Sequence, residues 1–361
     1  MAYSLHEIDW CDVPLLKPMP DLAWERQSTK RLGFCSNIAK YLTPVRWMLQ
    51  ADELMHARVT PNVPLNLGKL ISLVVAMDSS CRHCYGAFRS MLKIMGYSEA
   101  TIRHLEESFA VDGLSEKETA ALEFARKVSH SAPRPSADDL QKLKALGYSS
   151  VEIAELAYLS ANNASANRLA TLLALPPDPL EEIEANWFNK MKRPFTRKDF
   201  MAALSPILKV DGPPAYSGPG ERVLGVFEES PARAALATVL SGAWESPITS
   251  RQVKALIFGV VARGLGCAAC EAEAAEALKK EGWTNAEIKQ VMTHLNSDRL
   301  EPFELKVLSF ARETVRYQTR RIQEIAQRFA AGLEREVLVE VVGLVSYANG
   351  LARLSILLHS C

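Results

Sequence analysis

Ser80-Cys81-Arg82-His83-Cys84-Tyr85-Gly86-Ala87-Phe88 is the segment from which this chain is best read, and Gly266-Cys267-Ala268-Ala269-Cys270-Glu271-Ala272-Glu273-Ala274 echoes it far downstream. Two cysteines three apart on a helix share a face, with Cα atoms about 5 Å apart. That lies within the roughly 4.4–6.8 Å a disulfide spans, so each pair can pass between dithiol and disulfide with little backbone movement. An apolar run precedes each pair, Leu70 to Met77 and Ala255 to Ala262. Each run reads as a buried helix that stops at a short turn, with the cysteines opening the next helix. The free N–H groups there favour a thiolate over a thiol.

Working outward, 48% of the 361 residues are hydrophobic, which supports a real core and argues against disorder. Lysine plus arginine (42) balances aspartate plus glutamate (42), and no basic stripe occurs, so nucleic acid is not an expected partner. The first ten residues lack a signal-peptide pattern, and no apolar run reaches the ~18 residues of a membrane span. A cytoplasmic protein without a membrane partner is the expectation. Seven cysteines is an odd number. Cys11, Cys35 and Cys361 stand alone and read as incidental thiols, whereas the Cys-x-x-Cys pairs point to redox or metal chemistry.

Helical patterns run over Ile38 to Gln50, Asp52 to Arg58, Leu65 to Met77 and Cys81 to Met95, with Thr60 to Pro64 as a loop. Gly96 ends one helix, Ser98 starts another, and Ser115-Glu116-Lys117-Glu118 forms a capping box for a helix through Lys127. Ala137 to Leu146 and Ser150 to Leu173 add two more. No alternating strand pattern is present, so the fold class is all-α. The plan then repeats. A shift of 186 residues carries Cys81 to Cys267, Cys84 to Cys270, Gly96 to Gly282, Glu118 to Glu304, and Phe124-Ala125-Arg126 to Phe310-Ala311-Arg312. A shift of 185 carries Gly147 to Gly332 and Arg168 to Arg353. The chain reads as a tandem duplication: a first domain over 1–180 with an N-terminal extension, a Pro/Gly-punctuated linker region over 181–220, and a second domain over 221–361.

On these residues each half resembles the AhpD-like, carboxymuconolactone-decarboxylase-like family, over about Leu65 to Leu175 and about Val253 to Leu358. The resemblance implies two helical bundle domains related by a pseudo-two-fold axis, and chemistry of the alkylhydroperoxidase type. In such members a glutamate precedes Cys-x-His-Cys-x-x-x-His; the second cysteine attacks peroxide, the first resolves it as a disulfide, and the acid and last histidine relay the proton. Cys81, His83 and Cys84 match, while Lys69 stands at the glutamate position and Phe88 at the last histidine. In the second half Cys267 and Cys270 match, with Ala255, Ala269 and Ala274 at the other positions. The decarboxylase members do not depend on a cysteine pair.

The expected function is therefore a thiol-dependent peroxidase or disulfide oxidoreductase lacking the usual Glu/His relay. Its catalytic residues would be Cys81, Cys84, His83, Cys267 and Cys270, with Lys69 and Arg82 tuning the first pair. An ordinary thiol is only about 3% thiolate at pH 7, so neighbouring cations must help. The first pair has Arg82, His83 and Lys69, and the second carries Glu271 and Glu273, which should raise its thiols. Unequal sites follow, the first reactive, the second weaker or a standing disulfide. The family's order makes Cys84 the attacking sulfur, whereas helix-end electrostatics favour Cys81. The substrate would be a peroxide or small disulfide, the electron donor an unknown thiol reductant, and no cofactor or metal is expected. A zinc Cys₄ site usually joins its pairs through a much shorter spacer than the one here. Homo-oligomers, a trimer of tandem chains, follow from the resemblance. Core packing remains the competing reading for both pairs, as helix-packing and capping roles do for Asn162, Asn163 and Arg168. The alternative function is a divergent scaffold or decarboxylase-like protein acting through assembly or ligand binding.

Overall fold

The helices are those of a computed structural model that describes residues 8–11, 13–32, 35–108, 113–130, 135–176, 214–227 and 230–359. In the first half these are α1 (Leu22–Leu32), α2 (Ala39–Leu42), α3 (Arg46–His56), α4 (Leu65–Asp78), α5 (Arg82–Ile94), α6 (Glu99–Ser108), α7 (Glu116–Ser129), α8 (Ala137–Ala145) and α9 (Ser150–Leu172). The second half supplies α10 (Glu221–Leu224), α11 (Pro231–Glu245), α12 (Arg251–Leu265), α13 (Ala268–Lys280), α14 (Asn285–His294), α15 (Pro302–Glu313), α16 (Thr319–Ala330) and α17 (Arg335–His359). No strand occurs among the described residues, and the fold is all-α.

Capping boxes open α7 at Ser115/Glu118 and α9 at Ser149/Glu152, each satisfying N–H groups that a helix start leaves unpaired. The helices expected over Ile38 to Gln50 and Asp52 to Arg58 divide differently. Pro44, which cannot donate within a helix, separates α2 from α3, and α3 then runs through Asp52 without a break. Most of the linker expected over 181–220 lies outside the described residues, as does Cys361. Its last part, 214–220, is anchored: the Glu273 carboxylate accepts the N–H of Gly220 and of Arg222, each at 2.9 Å.

α4, α9, α12 and α17 are apolar on nearly every side and form the centre of one continuous core drawn from both halves. The window Arg335–Leu357 of α17 is long and apolar enough to cross a membrane, which corrects the expectation that no such run exists; 89% of it is buried inside the protein, as in a core helix. α9 and α17 pack so closely that a Cβ on Gly350 would lie 2.8 Å from the Ala161 carbonyl oxygen. α3 lies against α11, where Gly242 leaves room for Trp47.

Matching polar contacts tie the halves together. The Arg168 guanidinium on α9 donates to the carbonyl oxygens of Thr314 and Val315, at the end of α15. Arg353 on α17 donates to Val128 (3.4 Å) and Ser129 (2.5 Å), at the end of α7. Each arginine thus covers carbonyls that a helix C-terminus leaves unpaired, and does so in the other half. Glu155, fully buried on α9, accepts from Ser230 Oγ at 2.7 Å; Glu340, fully buried on α17, accepts from Trp47 Nε1 at 2.9 Å.

Candidate functional site: two buried cysteine pairs

Both cysteine pairs sit at the same kind of junction. α4 ends at Asp78, Ser80 takes the left-handed conformation (φ 48°), and Cys81 becomes the N-cap of α5. α12 ends at Leu265, Gly266 turns left-handed (φ 70°), and Cys267 becomes the N-cap of α13. The amide of Cys81 donates to Ala76 O (3.0 Å) and that of Cys267 to Ala262 O (2.8 Å), locking each turn identically. All four thiols are free.

At the first pair the Cys84 N–H donates to Cys81 Sγ at 3.4 Å. A sulfur at an N-cap thus does what a serine or aspartate oxygen commonly does, accepting from an unpaired helix donor. Burial opposes ionisation of Cys81. Hydrogen bonds from the Cys84 thiol and N–H, the Thr171 hydroxyl and the His83 N–H outweigh it and bring Cys81 below the ordinary thiol range. Of the first pair, Cys81 is the sulfur whose anion these donors favour, as helix-end electrostatics anticipate. Access runs the other way: Cys81 has 0% of its surface exposed, Cys84 7%.

The remaining wall comes from a distant part of the chain. Tyr317, in the turn between α15 and α16, hydrogen-bonds through its hydroxyl to Thr171 Oγ1 and reaches Asn167 O at 3.4 Å. Burial, with the charge of Cys81, holds its phenol well above the ordinary tyrosine range. The Arg168 guanidinium lies over its ring, 5.0 Å from the centroid, and Thr319 Oγ1 donates to Ser80 O at 3.4 Å. The first pair is thus completed by residues of the second half. Thr171 has one proton and three acceptors, Asn167 O (2.7 Å), Cys81 and Tyr317, so its hydroxyl can redirect that proton as charge on the sulfur changes.

The cations expected to hold the thiolate do not lead there. The His83 ring is turned away, its Nδ1–H donating to Pro176 O at 2.6 Å; its contribution to Cys81 is the backbone N–H. Because a carbonyl can only accept, Nδ1 carries the proton. Arg82 is half-buried in the first turn of α5 and is not among the leading influences on Cys81. Burial alone pushes Lys69 down to about 8, with no coupling to either sulfur. A buried sulfur at a helix start is served first by donors within hydrogen-bond reach.

At the second pair Cys270 is pushed well above the ordinary range, first by its hydrogen bond to Cys267 and then by burial. The polarity matches the first pair, with the leading cysteine as acceptor. As expected, the charge of Glu273 helps raise Cys270, behind the hydrogen bond to Cys267 and burial; its carboxylate also accepts the Gly220 and Arg222 amides, while Glu271 pairs with Arg263 at 2.9 Å. The shift that carries Arg168 to Arg353 carries Thr171 to Ile356; the hydroxyl at the second pair is that of the preceding residue, Ser355, and it lowers the trailing cysteine rather than the leading one. Thr171 and Tyr317 were missed in the sequence because they lie 146 residues apart. The register difference between Thr171 and Ile356 was the one signal available.

Of the lone cysteines, burial, with the charges of Asp52 and Glu25, pushes Cys35 up to about 11. Cys11 accepts from Gln327 Nε2 at 3.0 Å. Among the described residues no group of three or more His, Cys, Asp and Glu side chains is placed to hold a metal ion.

No family model matches the chain, and no curated protein matches it. Among solved structures, an uncharacterized peroxidase-related protein from Silicibacter sp. TM1040 aligns at 20% identity over 48% of this chain and 94% of its own, with a TM-score of 0.38. A likeness of that degree carries neither fold nor activity to this chain.

Proposed function

We propose that the protein is a dithiol peroxidase in which Cys81 and Cys84 form the working couple, and that it is a tandem duplication of an AhpD-like unit. The observation that carries the reading is the sulfur at the N-cap of α5, which is brought below the ordinary thiol range although fully buried. Repeated junctions, matching arginine contacts and the motif of Cys81, His83 and Cys84 support the duplication and the family. Burial of the pair favours a small hydroperoxide over a protein disulfide, because the bulk of a protein cannot reach a sulfur exposed by a few per cent.

The two sulfurs divide the work by access and charge. The Cys84 thiol passes its proton along the hydrogen bond to Cys81, and the Cys84 thiolate attacks the terminal peroxide oxygen. An S–O bond forms as the O–O bond breaks, and the leaving alkoxide takes up a proton to become the alcohol. The Cys81 sulfur then attacks the sulfenic sulfur of Cys84, the S–S bond forms, and hydroxide leaves as water with the second thiol proton. The dithiol has lost two electrons and the peroxide has gained them; a thiol reductant restores the couple. The Thr171 and Tyr317 hydroxyls stand where they can move protons in place of the absent glutamate and histidine.

The second pair lacks the threonine and serves as a weaker couple or a structural one. Three tandem chains would provide six such units, and sedimentation equilibrium would reveal whether the trimer forms. Peroxide consumption with a dithiol reductant tests the chemistry: turnover is expected in the intact chain and lost in Cys84→Ser. Turnover that survives the substitution would remove the thiol mechanism.

A further inference from the structure

At the end of α4 the Asp78 carboxylate is gripped from α7. Arg126 Nε lies 3.2 Å from each carboxylate oxygen and Nη2 3.1 Å from one, while Ser129 Oγ and His130 Nε2 each come within 3.1 Å. The register 186 residues on replaces Asp78 by Gly264, Arg126 by Arg312, Ser129 by Val315 and His130 by Arg316. The carboxylate is gone, its guanidinium is kept, and a second guanidinium replaces the imidazole.

A cleft of about 290 Å³ occupies this place, lined by Gly264, Arg312, Val315 and Arg316, with Arg321 from α16 and one carboxylate, Glu313. Among the described residues, none of the Arg312, Arg316 and Arg321 guanidinium groups makes an ion pair or hydrogen bond. Arg233 and Arg328 share this, but neither lines the cleft. Arg89, Arg251, Arg263, Arg299 and Arg320 meet carboxylates, and Arg168, Arg335 and Arg353 meet carbonyls. The negative end of α15 would draw Arg312, but its Thr314 and Val315 carbonyls are already taken by Arg168. Arg321 lies in the first turn of α16, where the helix dipole opposes a cation unless an anion is beside it.

We propose that this cleft binds a small polyvalent anion bearing carboxylate or phosphate groups, which fills the place that the Asp78 carboxylate takes in the first half. Guanidinium forks match both oxyanion geometries, and three arginines against one glutamate leave the lining positive. The site stands independently of the redox chemistry and can fail or succeed without it.

Calorimetric titration of citrate and of pyrophosphate into the full chain at low ionic strength tests this. Saturable one-to-one binding of either anion is expected, and the preference tells carboxylate from phosphate. Arg312→Gln and Arg316→Gln should each weaken it about tenfold or more. Glu313→Gln should tighten it, and Arg103→Gln, on α6, should leave it unchanged. Gly264→Asp should abolish it by restoring an internal carboxylate. A Cβ there would lie 2.9 Å from Val315, so if that variant does not fold the exposed arginine variants carry the test. Absence of saturable binding for both anions, or equal weakening by Arg103→Gln, would overturn the proposal.

Discussion

At the scale of single residues, the two cysteine pairs differ in where a hydroxyl acts: Thr171 lowers the leading sulfur of the first pair, Ser355 the trailing sulfur of the second. Thr171 donates toward Cys81, and its counterpart in the second half is Ile356. Thr171→Val should raise the Cys81 thiol, since a hydrogen bond to a charged group is lost, and move the alkylation profile of the first pair upward by about one pH unit. The Cys267/Cys270 profile should stay where it is. Rates followed peptide by peptide across pH would show this, and a shift in both pairs would contradict it. The cysteine spacing and the helix start were legible in the sequence because both are local. Side-chain direction was not, because sequence proximity does not say which way a side chain turns: the His83 ring meets Pro176 O, and Glu273 also accepts the amides of Gly220 and Arg222.

At the scale of elements, the left-handed residue before each cysteine joins helix to helix. Ser80 holds a conformation that glycine adopts freely, and Gly266 already uses glycine at the matching position. Ser80→Gly should therefore be neutral or stabilising by up to about 1 kcal/mol, and Gly266→Ala should destabilise by about 1–2 kcal/mol. Urea unfolding of the two variants distinguishes them. Lys69 on α4 makes a second test. Its folded value, about 8, lies below the ordinary 10.5, so between those values the unfolded chain binds more protons and stability from this group rises with pH. Lys69→Met should stabilise at pH 7 by about 1–3 kcal/mol, allowing for the part exposure of the side chain, with the gain vanishing as pH approaches 10.5. A gain independent of pH would show that burial of charge is not the cause. The apolar run just after Lys69 gave α4 away in the sequence, while the α2/α3 boundary was misplaced because Pro44 outranked the hydrophobic periodicity.

At the scale of the whole molecule, the two halves share one core and hold each other's helix ends. Unfolding should be a single cooperative transition, and two separated transitions would contradict a common core. Arg168→Ala and Arg353→Ala should each cost about 2–4 kcal/mol, because both leave buried carbonyls unpaired. The 186-residue register was visible in the sequence, but not how the two halves pack. Tyr317 and the first cysteine pair lie in different halves, and only the packing of α9, α15 and α16 brings them together. The central claim, that Cys81 and Cys84 act as a two-electron couple, is tested most directly by peptide mass spectrometry of the reduced protein after one equivalent of a small hydroperoxide. The account predicts a Cys81–Cys84 disulfide two hydrogens lighter than the dithiol, formed ahead of any change at Cys267 and Cys270. Recovery of Cys81 and Cys84 as unmodified thiols while peroxide disappears would contradict it.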